Sequence, residues 1–98
     1  LTPTTLKHWY CGDGMWNNTQ GNNRIEFGVS NERNNTDKVD SYFNKVGLPE
    51  PSNYSESVRD DGSINCHMQF TVQDSKKLWK YMGEPLPGFG YKWPDKYK

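Results

Sequence analysis

The sequence contains no alanine, an absence that weighs against a helix bundle, since alanine is the strongest helix former. Aliphatic residues are scarce too. Leu, Ile, Val and Phe together supply sixteen of 98 residues, a fraction that in a highly charged chain signals disorder. Net charge is zero, however, with twelve basic and twelve acidic residues, so self-repulsion does not hold this chain open. There is no transmembrane run, lipidation motif or signal peptide; if the chain is secreted, Leu1 is expected at or near a processed terminus. Catalytic signatures are missing as well: no His-Glu-x-x-His, no Gly-rich phosphate loop, no Gly-x-Ser-x-Gly and no cysteine pair at metal spacing. No metal site and no cofactor are expected.

In place of aliphatic bulk the chain has rings: four Trp, six Tyr and four Phe. Each buries a large area, so the core is expected to be aromatic, within a single domain spanning 1–98. A chain of this length buries only about 60–65% of its unfolded surface and gains from a covalent tie.

The two cysteines allow one intramolecular pair. Over 64–72, Ile64, Cys66, Met68, Phe70 and Val72 alternate with Asn65, His67, Gln69 and Thr71, the pattern of a half-buried antiparallel strand. Leu6–Cys11 reads as a second strand, with Trp9 and Cys11 on one face and His8 and Tyr10 on the other. Both sulfurs are therefore expected in the core, and a Cys11–Cys66 disulfide closing 55 residues would contribute about 3–4 kcal/mol on a chain-entropy estimate. Three sequons, at Asn17, Asn34 and Asn53, agree with secretion, although an Asn-rich loop composition produces about one by chance.

The remaining elements follow from spacing. Gly12-Asp13-Gly14 predicts a tight turn, Met15 and Trp16 a return strand, Asn17–Asn23 a loop, and Arg24–Ser30 a strand. Val39, Tyr42, Phe43 and Val46 fall at helical spacing behind Thr36 as N-cap, which predicts the main helix over 36–46. Tyr54–Val58 can pair with the 64–72 strand through Asp60-Asp61-Gly62. Asp74 then caps a short helix over 74–82, and Phe89, Tyr91 and Trp93 alternate as a last edge strand. The sum is an α+β domain with a mostly antiparallel sheet, helix on one face and one disulfide; from Arg24 onward a split βαββαβ sandwich is the alternative.

Chemistry rests on scattered groups. His8 and His67, each opposite its neighbouring cysteine, would share an outer surface if the disulfide forms, and with Glu26 or Glu56 could cleave a phosphodiester by acid and base steps. Two solvated histidines are the alternative. Tyr10, Trp16, Tyr91, Trp93 and Tyr97 offer either a stacking platform for sugars or bases, or simply core and rim. Lys92 and Lys96 lie in a basic tail that reads as a contact for nucleic acid or as a solvated terminus.

Trp9-Tyr10-Cys11 near the start of a short chain with two cysteines resembles the Y/F/WxC motif of the small secreted effectors of powdery mildew fungi. The likeness covers three residues together with size and cysteine count. It implies a ribonuclease-like fold without ribonuclease activity, and secretion followed by delivery into host cells. It also implies binding to host protein or RNA and recognition by host immune receptors; a monomer is expected. The competing classes are a secreted ribonuclease or cytotoxin and a carbohydrate-binding module.

Overall fold

The computed structural model describes residues 2–18 and 21–97. Leu1, Thr19, Gln20 and Lys98 lie outside the described residues, and with them the expected processed terminus, the middle of the 17–23 loop and the last residue of the basic tail.

The first element is a helix, α1 (Pro3–Asp13), where alternation predicted a strand and then a turn. Thr5 N–H donates to Thr2 Oγ1 at 3.1 Å and Thr2 N–H donates to Thr5 Oγ1 at 2.7 Å, a reciprocal cap. Pro3 sits at the start of the helix, where its missing N–H costs nothing. Leu6 and Tyr10, one turn apart, are fully buried, while Trp9 packs against the core and His8 is exposed. Six residues of alternation are compatible with either period; here the cap and the Leu6/Tyr10 spacing prevail.

Four strands follow the order β1 (Gly14–Asn17), β2 (Arg24–Gly28), β3 (Asn53–Val58) and β4 (Ile64–Gln69), and they assemble as β1-β2-β4-β3 with every neighbouring pair antiparallel. Both β2 and β3 run against β4, so they are parallel to each other and need a crossover between them. That crossover carries α2 (Thr36–Asn44), as the periodicity of 36–46 predicts, with Val39 and Phe43 buried. Thr36 begins the helix rather than capping it; Asn35 is the cap residue and makes no side-chain bond. The β3–β4 hairpin turns at Gly62 (φ 86°), and Ser63 donates from both N–H and Oγ to Asp61 Oδ1 at 2.9 and 2.6 Å. Those bonds hold the exposed Asp61 carboxyl below its ordinary pKa.

β4 stops at Gln69, short of the expected Val72, because Thr71 becomes the N-cap of α3 (Val72–Met82). Its Oγ1 accepts from Asp74 N–H at 3.1 Å, a capping role the sequence had suggested for Asp74 itself. Of the expected inner face, Leu78, Trp79 and Met82 are buried, and Tyr81 is half-buried against the core.

The interior is aromatic. Phe27 lies 4.8 Å from the Trp9 ring, 5.6 Å from Tyr10, 6.1 Å from Phe70 and 6.4 Å from Phe43, centroid to centroid. All three helices contribute to this one cluster together with Ile25, Phe27, Cys66 and Met68, so they cover the same face of the sheet.

No final strand forms over 89–93. Gly90–Lys92 and Asp95–Tyr97 are short 3-10 turns, closed by bonds such as Lys92 N–H to Phe89 O at 3.0 Å. Alternation misleads here because Trp93 is fully buried while Tyr91 is 67% exposed, a split that no single strand face allows. Without that strand the βαββαβ alternative is not realised, and β1 supplies the fourth strand instead.

Nor does the disulfide form: both cysteines are free and buried. Cys11 ends up in the last turn of α1, near Leu86 and Lys92, whereas Cys66 sits on β4 opposite Glu56. The expected bridge required two adjacent strands, and the helical conformation of 3–13 removes one of them. Burial pushes both thiol pKa values up.

Candidate functional site

Register determines which side chains face away from the helices. Residues directly opposite in an antiparallel pair share a face, so the outward set is Met15 and Asn17 on β1, Arg24, Glu26 and Gly28 on β2, Asn65, His67 and Gln69 on β4, and Asn53, Ser55 and Ser57 on β3. Apart from Met15 this is a polar surface, unlike the aromatic face behind it.

Glu26 anchors its centre and is only 7% exposed. Its carboxylate accepts from Asn17 Nδ2 at 2.8 Å through Oε2 and from Gln69 Nε2 at 3.1 Å through Oε1. Gln69 in turn accepts from Asn53 Nδ2 at 2.8 Å. One row of hydrogen bonds thus crosses all four strands. Burying a carboxylate is costly without such donors, and two amide N–H groups meet that need.

His67 borders the row. Its Nδ1 is 3.9 Å from Glu26 Oε1, and its Nε2 is 3.3 Å from Asn65 Nδ2. Asn65 Oδ1 also accepts from Arg59 at 2.9 Å and from Ser30 Oγ at 3.2 Å. At the end of the face, Asn17, Arg24, Glu26, Asn53, Gln69 and the residues just ahead of α3, Phe70 and Thr71, line a cavity of about 260 Å³. Arg24 is exposed, and its guanidinium has no ion-pair or hydrogen-bond partner among the described residues.

Of the residues singled out from sequence, His67 and Glu26 come together here. His8 does not: it lies on α1, and the sheet stands between it and His67, so the expected histidine surface is not assembled. Glu56 is on the helix side of β3. Lys92 is engaged elsewhere, donating to Cys11 O at 2.7 Å and Gly14 O at 2.8 Å. Trp93 is a core residue whose Nε1 donates to Gly83 O at 3.1 Å. Tyr91 is exposed against Phe89, their rings 6.3 Å apart, and Lys96 lies 5.2 Å over the Tyr97 ring. With Tyr10 and Trp93 buried, Trp16 half-buried and bonded to Asn23, and Tyr97 stacked on Trp79 at 5.6 Å, the aromatic platform does not exist as a surface. Among the sequons, Asn34 is exposed, whereas the side-chain amides of Asn17 and Asn53 are bound to Glu26 and Gln69.

Sequence reasoning missed Arg24, Asn17, Asn53 and Gln69 as members of a site. A signal was present: at outward positions of three different strands the chain carries amides, residues that strands otherwise disfavour. Among the described residues no group of three or more His, Cys, Asp or Glu is placed to hold a metal ion, and no helix is long and apolar enough to cross a membrane. In comparisons with protein families, curated proteins and solved structures, the chain matches none.

Proposed function

We propose that this chain is a non-enzymatic binding protein, a secreted effector of the kind its opening motif resembles, and that it engages a host protein through the helix-free face of its sheet. One observation carries the reading: helices cover only the aromatic face, while the opposite face holds an ordered row of amides around one carboxylate, linked across four strands and open at its edges. Side chains already fixed by their neighbours lose little freedom on binding, which favours recognition. A protein partner suits this face better than RNA. The basic tail gives up Lys92 to main-chain oxygens, and the one outward arginine of the strands, Arg24, lines the same cavity as the Glu26 carboxylate. The α+β composition is compatible with the ribonuclease-like fold that Trp9-Tyr10-Cys11 implies, and exposed Asn34 with its sequon is compatible with secretion.

Ser55 and Ser57 are exposed on β3 and face outward, so arginine there alters the surface without touching the core. Wild-type protein is expected to retain a specific protein from host extract, reproducible with the purified partner, and Ser55→Arg/Ser57→Arg to lose it. Equal retention by both forms would refute the assignment of the face. A second reading, a ribonuclease, is favoured by the 3.9 Å approach of His67 to Glu26. Cleavage of total RNA that disappears in His67→Ala would establish it and displace the non-enzymatic reading.

A further inference from the structure

The cavity at the Arg24 end of the open face has a donor and acceptor inventory that selects a ligand class, and the inference rests on reading that face as the binding surface. Its lining is more polar than apolar: Asn17, Arg24, Glu26, Asn53 and Gln69 are among the side chains that form it, and the one ring, Phe70, is 1% exposed. Small-molecule sites are ordinarily lined mostly by apolar groups. With its one ring buried, the cavity presents no flat face for a nucleobase to stack on.

Each oxygen of the Glu26 carboxylate accepts one amide hydrogen, from Asn17 and from Gln69, and keeps a second lone pair. The amides of Asn53 and Gln69 add donors and acceptors side by side. A hydroxyl group is both donor and acceptor, so two hydroxyls on neighbouring carbons can give to the carboxylate while accepting from the amides. Arg24 contributes a planar cation with no partner among the described residues, suited to one carboxylate or phosphate. One free cation beside one buried anion fits a single negative charge and opposes a polyanion. The volume, about 260 Å³, has room for one sugar residue and little more.

We propose that this cavity is a subsite for an acidic sugar: vicinal hydroxyls on Glu26 and its amide neighbours, and the anionic group on Arg24. It owes nothing to aromatic stacking, the basis on which the sequence raised carbohydrate binding as an alternative.

The test is an NMR titration of the full chain with glucuronate, glucose 6-phosphate, glucose, acetate and a short oligoribonucleotide. Glucuronate is expected to shift the side-chain amide signals of Asn17, Asn53 and Gln69 saturably, with a Kd on the order of 1–10 mM, as befits one small ligand. Glucose should bind at least about tenfold more weakly, and Arg24→Gln should erase that difference. Comparison with glucose 6-phosphate decides whether carboxylate or phosphate is the preferred anion. No saturable shift with either acidic sugar, equal shifts with acetate, or a stronger response to the oligoribonucleotide would overturn the proposal. Partner retention by Ser55→Arg/Ser57→Arg separates the two claims: lost retention with a silent titration removes only the sugar subsite, whereas undiminished retention removes the face assignment.

Discussion

The Lys92 ammonium lies among main-chain oxygens at the end of α1, 2.7 Å from Cys11 O, 2.8 Å from Gly14 O and 3.4 Å from Tyr10 O. Carbonyls at a helix C-terminus lack intrahelical partners and carry partial negative charge, so a cation there serves both needs. Lys92→Met keeps the aliphatic stem and removes the charge. A loss of about 1–3 kcal/mol is expected from the urea midpoint, and an unchanged midpoint would contradict the role. Lone tail lysines ordinarily read as solvated, and no local pattern announces a contact with residues some eighty positions earlier. Tyr10, Tyr54 and both cysteines have pKa values raised chiefly by burial, Tyr54 further by its 2.6 Å bond to Asp40. A group with a raised folded-state pKa holds its proton more tightly in the native chain. Its stabilisation is complete below the unfolded pKa and is lost as pH rises toward the folded one. Denaturation midpoints should therefore be insensitive to these groups at pH 7, decline from about pH 8.5 as unfolded thiols ionise, and decline more steeply beyond about pH 10 with the phenols. A flat profile from pH 7 to about 10.5 would contradict their burial.

At the level of elements, the junction of β4 and α3 shows how one side chain replaces a ladder bond. Past Gln69 only half of the next ladder pair survives, Phe70 N–H donating to Ile25 O at 3.1 Å, and Ile25 N–H, which would otherwise lack a partner, donates to Ser75 Oγ at 2.8 Å. Ser75 is fully buried. Ser75→Ala should cost about 1–3 kcal/mol through a stranded N–H, while Ser75→Thr, which keeps the oxygen, should recover part of it unless the added methyl crowds the core. Near-wild-type stability of the alanine variant would show that Ile25 N–H finds another acceptor. Elements whose period extended over many residues were legible: β4, β2, α2 and α3 occupy nearly their expected places. The 6–11 segment was not, because Leu6 and Tyr10, four residues apart, share a face in helix and strand alike, and the decisive cap lies at Thr2 and Thr5, outside the window. The 89–93 segment failed for a related reason: three aromatics alternate, yet Gly88 at φ 87° and the glycine at 90 favour tight turns.

For the molecule as a whole, the outward parity of β2 and β4 was readable from alternation, so Glu26 and His67 could be placed on polar faces in advance. Their meeting could not, since it depends on β2 pairing with β4 across an intervening helix and hairpin. The disulfide expectation failed at the same scale. With no covalent tie, stability depends on a single core in which Cys11 is 6% exposed and Cys66 fully enclosed. Iodoacetamide should therefore leave both thiols unmodified in the native state and label both together once denaturant opens the core, as mass spectrometry of the intact chain can count. One thiol reacting well before the other would reveal partial opening, and resistance of both in denaturant without reductant would reveal the missing bridge.

The Lys92 contact also makes the chain circular in a mechanical sense, although no bond closes it. The Tyr10 hydroxyl donates a hydrogen bond to Lys92 O at 2.6 Å while the Lys92 ammonium donates to Cys11 O, so the opening helix and the closing turns clasp each other in both directions. A protease that nicks the Gly88–Gly90 stretch would therefore disturb the far end of the polypeptide first. Fragments cut ahead of Lys92 should lose α1 along with the closing turns, instead of fraying quietly from one side.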